Sequence, residues 1–151
     1  MNTTPLSHLL SQKNPEVTRV APSTTIDEAV RVMNQFRIGA VLVVNTNGRL
    51  AGIFTERDVL SRVVGRGVDP KTTPVQAVMT TKLFTAMPAT TLDEAMELFL
   101  ERRIRHLPVI DHGEIAGMIS IGDINRCLLE QHRQEARHLR DYIIGGVPSI
   151  T

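Results

Sequence analysis

Apolar residues recur at helical spacing twice in the chain, once after Thr25 and once after Thr91. In each stretch they occupy positions i, i+3, i+4 and i+7, which predicts an amphipathic helix with one buried stripe. Both threonines lie at the N-cap position, and Glu28 and Glu94 follow three residues later, as in a capping box. The apolar positions are Ile26, Ala29, Val30 and Met33 in the first stretch and Leu92, Ala95, Met96 and Phe99 in the second.

Each predicted helix is followed by two short apolar runs that are separated by a turn. Residues 40–44 and 50–54 form the first pair, and residues 107–110 and 115–119 form the second. Apolar and β-branched runs on either side of a glycine-containing turn predict a β-hairpin. A second helical stretch follows each hairpin, so the predicted unit is strand, helix, strand, strand, helix.

This unit is written twice. Residues 22–30 align with residues 88–96 at an offset of 66, and the offset becomes 65 after the hairpin turn. One copy alone would bury a small core, so two copies are expected to stack with pseudo-two-fold symmetry into an α+β fold. The predicted organisation is an N-terminal extension (1–14), a first repeat with its connector (15–74), a second repeat (75–130) and a C-terminal helix and tail (131–151).

Composition excludes several classes of function. The chain has 17 basic and 16 acidic residues. Its net charge of only +1 produces no broad positive potential that would attract a nucleic-acid backbone. The longest apolar run, residues 38–44, is far shorter than the roughly 20 residues of a membrane-spanning helix. The N-terminus does not look like a signal peptide, and Cys127 is the sole cysteine. We therefore expect a cytoplasmic protein that binds neither nucleic acid nor membrane.

The end of each hairpin carries the candidate chemistry. Thr55 and Asp58 in the first copy, and Ser120 and Asp123 in the second, have the spacing of a hydroxyl and a carboxylate at the start of a helix. One interpretation is a helix cap and nothing more. The other is a ligand site, since a helix N-terminus attracts phosphate and an ionised carboxylate can accept both hydroxyls of a ribose. Gly52 would allow close approach of either a ligand or neighbouring backbone.

The duplicated T-x-D-E-A helix start and G-h-h-[TS]-x-x-D ending, where h is an apolar residue, resemble the cystathionine-β-synthase (CBS) domain pair over about residues 15–130. The chain is similar to the small, stand-alone CBS proteins. The resemblance implies two clefts that bind adenosine compounds, such as AMP, ATP, NAD(H) or S-adenosylmethionine, and pairing into a homodimer. It implies no catalytic residue and no required cofactor or metal.

The resemblance also implies which residues line each cleft, because the helix start of one repeat faces the strand entrance of the other. The first cleft is expected to be the principal site, since it is richer in cations. Its residues are Thr55, Arg57, Asp58, Ile104, Arg105 and His106. The second cleft would use Ser120, Asp123, Ile38, Gly39, Ala40 and Val20.

Three functions can therefore be compared. The main hypothesis is a non-enzymatic sensor that binds an adenosine nucleotide and signals to an unknown downstream protein. The rival is a ligand-independent dimerisation scaffold, and an enzyme acting on the nucleotide is the third possibility. Glu135 and His138 form only a single E-x-x-H on a charged, exposed stretch, so a metal site is not expected there.

Overall fold

The computed structural model describes residues 1–13 and 17–145. Its elements are, in chain order, α1 (Leu6–Ser11), β1 (Arg19–Val20), α2 (Ile26–Phe36), β2 (Ala40–Val44), β3 (Leu50–Thr55), α3 (Glu56–Asp58) continuing as a π-helix (Val59–Val64), a 3₁₀ turn (Val75–Ala77), α4 (Leu92–Arg102), β4 (His106–Asp111), β5 (Glu114–Ser120) and α5 (Ile121–Gly145).

Two small sheets carry the two repeats. In the first sheet β2 lies between β1, which is parallel to it, and β3, which is antiparallel. In the second sheet β4 and β5 form an antiparallel hairpin, and a single parallel bridge between Ala86 and Val109 replaces β1. The predicted fold class, two related α+β repeats, is therefore confirmed.

The helices begin where the caps predict. Thr25 Oγ1 accepts from the Glu28 N–H and Thr91 Oγ1 accepts from the Glu94 N–H, both at 3.2 Å. Both helices also end on an arginine in the left-handed conformation, Arg37 and Arg103, each with φ of 52°. The chain then turns sharply into the following strand, so both repeats share the same geometry at the strand entrance.

Each repeat has its own apolar core, and a third cluster joins the two sheets. Val41 and Val43 of β2 point into the first core, whereas Ala40 and Leu42 point into the joining cluster. Met118 of β5 packs against that same cluster from the second repeat. The two sheets therefore pack against each other, which explains why β2 is apolar at every position instead of alternating.

Two equivalent segments are crossed in the fold, because each packs on the repeat that does not directly follow it in the chain. We call residues 4–13 the N-terminal strap and residues 73–82 the connector strap; they correspond at an offset of 69. The Val75 N–H donates to Thr24 O at 2.7 Å, and the Leu6 N–H donates to Thr90 O at 2.8 Å. The connector strap thus packs on the first repeat, and the N-terminal strap packs on the second.

This packing changes the meaning of two predicted segments. Val75 and Val78, which the sequence places at the start of the second copy, lie in the core of the first. Leu6 and Leu9, from the predicted N-terminal extension, lie in the core of the second repeat. Each repeat is therefore completed by a strap from outside its predicted hairpin-and-helix unit.

The second helix of the second repeat and the predicted C-terminal helix are one continuous element, α5. Its outer half is exposed, including the apolar side chains of Leu139, Tyr142 and Ile143. The last part of the predicted tail, residues 146–151, lies outside the described residues. No helix in the described part of the chain is long and apolar enough to cross a membrane.

Candidate functional site

Thr55 and Asp58 cap the first helix start reciprocally. The Asp58 N–H donates to Thr55 Oγ1 at 3.3 Å, and the Thr55 N–H donates to Asp58 Oδ2 at 3.0 Å. β3 places the pair there because the strand runs directly into α3. The predicted cap is present, so any ligand role of these residues has to be compatible with it.

Asp58 has further partners in its own repeat and in the connector strap. Thr80 Oγ1 lies 3.0 Å from Oδ1 and 3.2 Å from Oδ2 of the carboxylate, and can donate to either. Arg62 Nε lies 3.6 Å from Oδ1. The Asp58 side chain is only 5% exposed, and a buried carboxylate is tolerated only when it is hydrogen-bonded or paired. These protein groups satisfy the buried carboxylate of Asp58.

The second helix start repeats the cap with different partners. The Asp123 N–H donates to Ser120 Oγ at 3.2 Å, and the Ser120 N–H donates to Asp123 Oδ2 at 2.8 Å. Lys13 Nζ of the N-terminal strap donates to the same Oδ2 at 2.7 Å, and Arg126 pairs with Oδ1. Both oxygens of this carboxylate are therefore held by cations.

The pKa of Asp123 reflects these contacts. Burial alone would raise the pKa, but the hydrogen bonds from Lys13 and from Ser120 outweigh burial and hold it below its ordinary value of 3.8. Asp123 is consequently ionised at neutral pH, and both of its oxygens act as hydrogen-bond acceptors.

The glycine of each motif is explained by the straps. A Cβ on Gly52 would lie 2.6 Å from Met79 Sδ and 2.9 Å from the Thr80 carbonyl oxygen. A Cβ on Gly117 would lie 2.5 Å from Leu10 Cδ2, and Leu10 is the strap position equivalent to Met79. Of the two reasons for glycine that the sequence allows, close approach of neighbouring chain is the one observed here.

The two repeats meet beside the helix starts. Arg57 Nη1 donates to Arg103 O at 2.9 Å, so the first helix start touches the residue next to Ile104 in the second repeat. From the other side, His106 Nε2 lies 3.4 Å from where a Cβ on Gly39 would stand. These contacts bring the strand entrances of the two repeats close to each other.

His106 lies among charges from both repeats. Burial lowers the pKa of its imidazole, the Glu56 carboxylate opposes this effect, and Lys13 adds to it. The Asp123 carboxylate, in the same repeat, raises the pKa of His106. The two residues lie close together because His106 pairs with Ser120 between β4 and β5. The ring is therefore neutral at neutral pH and can both donate and accept a hydrogen bond.

The remaining predicted residues differ in their access to a ligand. Ile104 and Val20 are half-buried, each packed against the core of its own repeat, and Ile38 packs against the first core. Arg105 is exposed, and its carbonyl accepts from the Ile121 N–H at 2.9 Å. Ala40 is fully buried in the joining cluster, so it can meet a ligand only if the two sheets move apart.

Four side chains at the two carboxylates are not identified by the motif. Arg62 and Arg126 follow their aspartates at helical spacing, a signal that the sequence does contain. Thr80 and Lys13 come from the straps, and Lys13 is 110 residues away from Asp123. The sequence signal for the straps is a weak additional duplication, in which Thr4-Pro5-Leu6 corresponds to Thr73-Pro74-Val75.

A cavity of about 370 Å³ adjoins Asp123. It lies between the N-terminal strap and α5, and its lining includes Leu9, Lys13, Arg126 and Arg133. Cys127 also borders it, but burial raises the pKa of that thiol, which disfavours the thiolate that a nucleophile or metal ligand needs. No cluster of three metal-ligating side chains occurs among residues 1–13 and 17–145.

Comparison with known proteins identifies the family. The CBS domain matches residues 10–65 and again residues 75–130. The chain belongs to the CBS domain family. The predicted resemblance is thereby confirmed, and both helix starts lie near the end of a CBS domain.

Relatives of this CBS-domain chain match it over most of its length. It is 43% identical over 126 residues to the mitochondrial CBS domain-containing protein CBSX3 of Arabidopsis thaliana; the match covers 81% of this chain and 61% of that protein's length. A CBS-domain protein of Agrobacterium tumefaciens superposes with a TM-score of 0.78 at 37% identity, covering 82% of this chain and 98% of that structure.

A third similar protein carries a ligand. The CBS domain protein of Pyrobaculum aerophilum, in a structure complexed with AMP, superposes with a TM-score of 0.70 at 26% identity. The match covers 82% of this chain and 89% of that structure. AMP is thus a ligand of one member of the family with this fold.

Proposed function

We propose that this CBS pair is a non-enzymatic regulatory module that binds an adenosine nucleotide between its repeats and signals its occupancy to a partner protein. The observation that carries the proposal is the duplicated helix start, in which a hydroxyl and a carboxylate lie one turn apart. The AMP complex of the Pyrobaculum relative supports the class of ligand. AMP, ATP, NAD(H) and S-adenosylmethionine all contain the adenine and ribose that such a helix start would bind.

In the first cleft, which we propose as the principal site, each part of a nucleotide has a chemical counterpart. The two oxygens of Asp58 would accept the ribose hydroxyls, with the Thr80 hydroxyl rotating to share them. Thr55 and Arg57 would meet the phosphate at the positive end of the helix, joined by Arg105 and the neutral His106. An apolar slot for the adenine would be formed in part by Ile104.

The second cleft would bind the same groups with Ser120 and Asp123. Gly39 and Ile38 of the first repeat would form its opposite wall, and Val20 would contribute to the adenine slot. Binding can signal only if the ligand prefers one arrangement of the repeats. The straps are suited to this, because each one contacts the carboxylate that the ribose would use.

One observation favours the ligand-independent scaffold as a second candidate. Asp58 and Asp123 are both fully partnered by protein groups, as carboxylates with a purely structural role would be. The scaffold and the sensor share the fold, and they differ in whether a nucleotide can exchange with those partners.

Calorimetric titration with AMP and ATP tests the sensor. In the wild type we expect saturable binding, and Asp58→Asn is expected to weaken the first cleft about 10- to 100-fold, the usual value of a hydrogen bond to a charged group. Asp27→Asn is the matched control, because Asp27 also lies in the first turn of a helix but its side chain pairs with Arg31 on the surface. Absence of binding at millimolar nucleotide would leave the scaffold. Nucleotide that is chemically altered after incubation would instead indicate an enzyme.

We also propose that the module is a homodimer in the cytoplasm. The exposed apolar residues Leu139, Tyr142 and Ile143 lie at helical spacing on α5, which makes this helix the candidate contact. Sedimentation equilibrium should show a dimer that Leu139→Glu combined with Ile143→Glu dissociates. Gln134→Glu, on an exposed polar position of α5, should leave it intact, and a monomeric wild type would contradict the proposal.

A further inference from the structure

Lys13 holds one oxygen of Asp123, the carboxylate that we propose accepts the ribose in the second cleft. Its Nζ donates to Asp123 Oδ2 at 2.7 Å and to Met118 O at 2.8 Å. The Asp123 side chain is only 5% exposed, whereas Lys13 retains 36% of its exposure. A bond from an ammonium to a buried carboxylate is among the stronger hydrogen bonds in proteins. A ligand that binds this oxygen would therefore have to displace the Lys13 ammonium.

Among residues 1–13 and 17–145, no lysine contacts the equivalent carboxylate of the first cleft, although Arg62 lies 3.6 Å from it. At the equivalent carboxylate, Asp58, the connector strap supplies the neutral hydroxyl of Thr80. A hydroxyl can rotate away, or accept a bond while donating one, but an ammonium has donors only. Lys82, which corresponds to Lys13 at the offset of 69, is exposed. The pseudo-symmetry of the straps is thus broken at the atom that approaches the carboxylate.

We propose that Lys13 acts as an intramolecular competitor of the ligand, so that the two clefts fill unequally. This inference rests on the proposed function, because it specifies which cleft adenosine compounds occupy first. A cleft that is open for a fraction f of the time has an apparent Kd raised by 1/f. If Lys13 is engaged in nine molecules out of ten, the second cleft binds about tenfold more weakly than its open form.

The alternative is that Lys13 is a phosphate ligand of the second cleft. Its contacts oppose this role: its two acceptors are a carboxylate and a carbonyl, and a phosphate beside the same ammonium would lie close to the Asp123 charge. Arg126 already pairs with the other carboxylate oxygen. The two roles predict opposite effects of removing the ammonium, which makes them separable.

The test is Lys13→Met in an Asp58→Asn background, which isolates the second cleft, with calorimetric titration of neutral adenosine and of AMP. The competitor role predicts that both ligands bind about tenfold more tightly or better. Lys82→Met is the matched control and should change neither affinity. A phosphate-ligand role predicts weaker AMP with unchanged adenosine, and that result would overturn the inference.

A second measurement needs no variant of Lys13. Salt weakens an ion pair whose ammonium is partly exposed, as that of Lys13 is. Raising the ionic strength from about 0.05 M to about 0.5 M should therefore tighten adenosine binding at the second cleft of Asp58→Asn. Lys13→Met should abolish this dependence. Binding that is insensitive to both changes would overturn the inference while the proposed function stands. Absence of binding by wild type and variants alike would remove both.

Discussion

Replacing Gly52 with alanine tests whether the glycine of the motif serves packing. A new Cβ would lie 2.6 Å from Met79 Sδ and 2.9 Å from the Thr80 carbonyl oxygen. The Met79 side chain can move, but Thr80 is held by two backbone bonds to Ile53, at 3.0 Å and 2.8 Å, and by its hydroxyl on Asp58. The strap backbone therefore has to shift by a few tenths of an ångström against those bonds.

The cost follows from the overpacking of a close-packed interior. Inserting a methyl group without room for it typically costs about 1–3 kcal/mol. For a chain of this size each kcal/mol lowers the melting temperature by about 2–4 °C. Gly52→Ala should therefore melt roughly 2–12 °C below the wild type, as measured by circular dichroism on heating.

Gly122→Ala is the matched control. Among the described residues, the atoms nearest to a Cβ there would be Ser120 Oγ at 3.6 Å and Arg126 Nη1 at 3.8 Å. The residue lies in the first turn of α5, where alanine is favoured over glycine by up to about 1 kcal/mol. Its melting temperature should stay the same or rise. Equal stability of Gly52→Ala and the wild type would show that the strap does not constrain this position.

Three further predictions concern stability and can be measured by urea unfolding. Arg37→Gly should stabilise the fold by up to about 1 kcal/mol, because φ is 52° at this position and only glycine adopts the left-handed region freely; a loss of stability would contradict this. Leu6→Ala should lower the free energy of unfolding by about 2–5 kcal/mol, because Leu6 is fully buried in the core of the second repeat. The amides of that repeat should be the first to exchange with solvent. Faster exchange confined to the first repeat would refute the crossed straps. Burial holds the pKa of His106 below its ordinary value of 6.5, so as the pH falls the unfolded chain binds this proton before the folded protein does. The free energy of unfolding should therefore be full above about pH 6.5 and decrease below it. His106→Gln should flatten the pH profile in that range, and an unchanged slope would argue against a buried neutral ring.

The regular elements could be predicted because each has a local cause. Ile26 and Ala29 follow a helical period behind Thr25, and this cap and stripe alone place α2 and, by repetition, α4. The duplication itself predicts that neither repeat has a sufficient core on its own. Local sequence also placed Thr55 and Asp58 at a helix start, since strand, hydroxyl and carboxylate follow one another directly.

The long-range partners of the site could not be predicted in this way. Lys13 reaches Asp123 only because the N-terminal strap crosses to the second repeat, and no local pattern encodes that crossing. The motif suggested that the second cleft is poor in cations, whereas Lys13 and Arg126 both lie on its carboxylate. Gly52 shows the same limit, because glycine indicates a close approach without identifying the approaching group.

The crossed straps also determine the order in which the two repeats can fold as the chain is synthesised. Once residue 82 has left the ribosome, the first repeat has every segment that its core requires. The second repeat can complete its core only after α5 has been made, and it then has to bind Leu6 and Leu9, which lie in a segment that precedes the first repeat. Closing so long a loop is entropically expensive and slow. The N-terminal strap is therefore made before the first repeat but reaches its packed position only after the second repeat has been made.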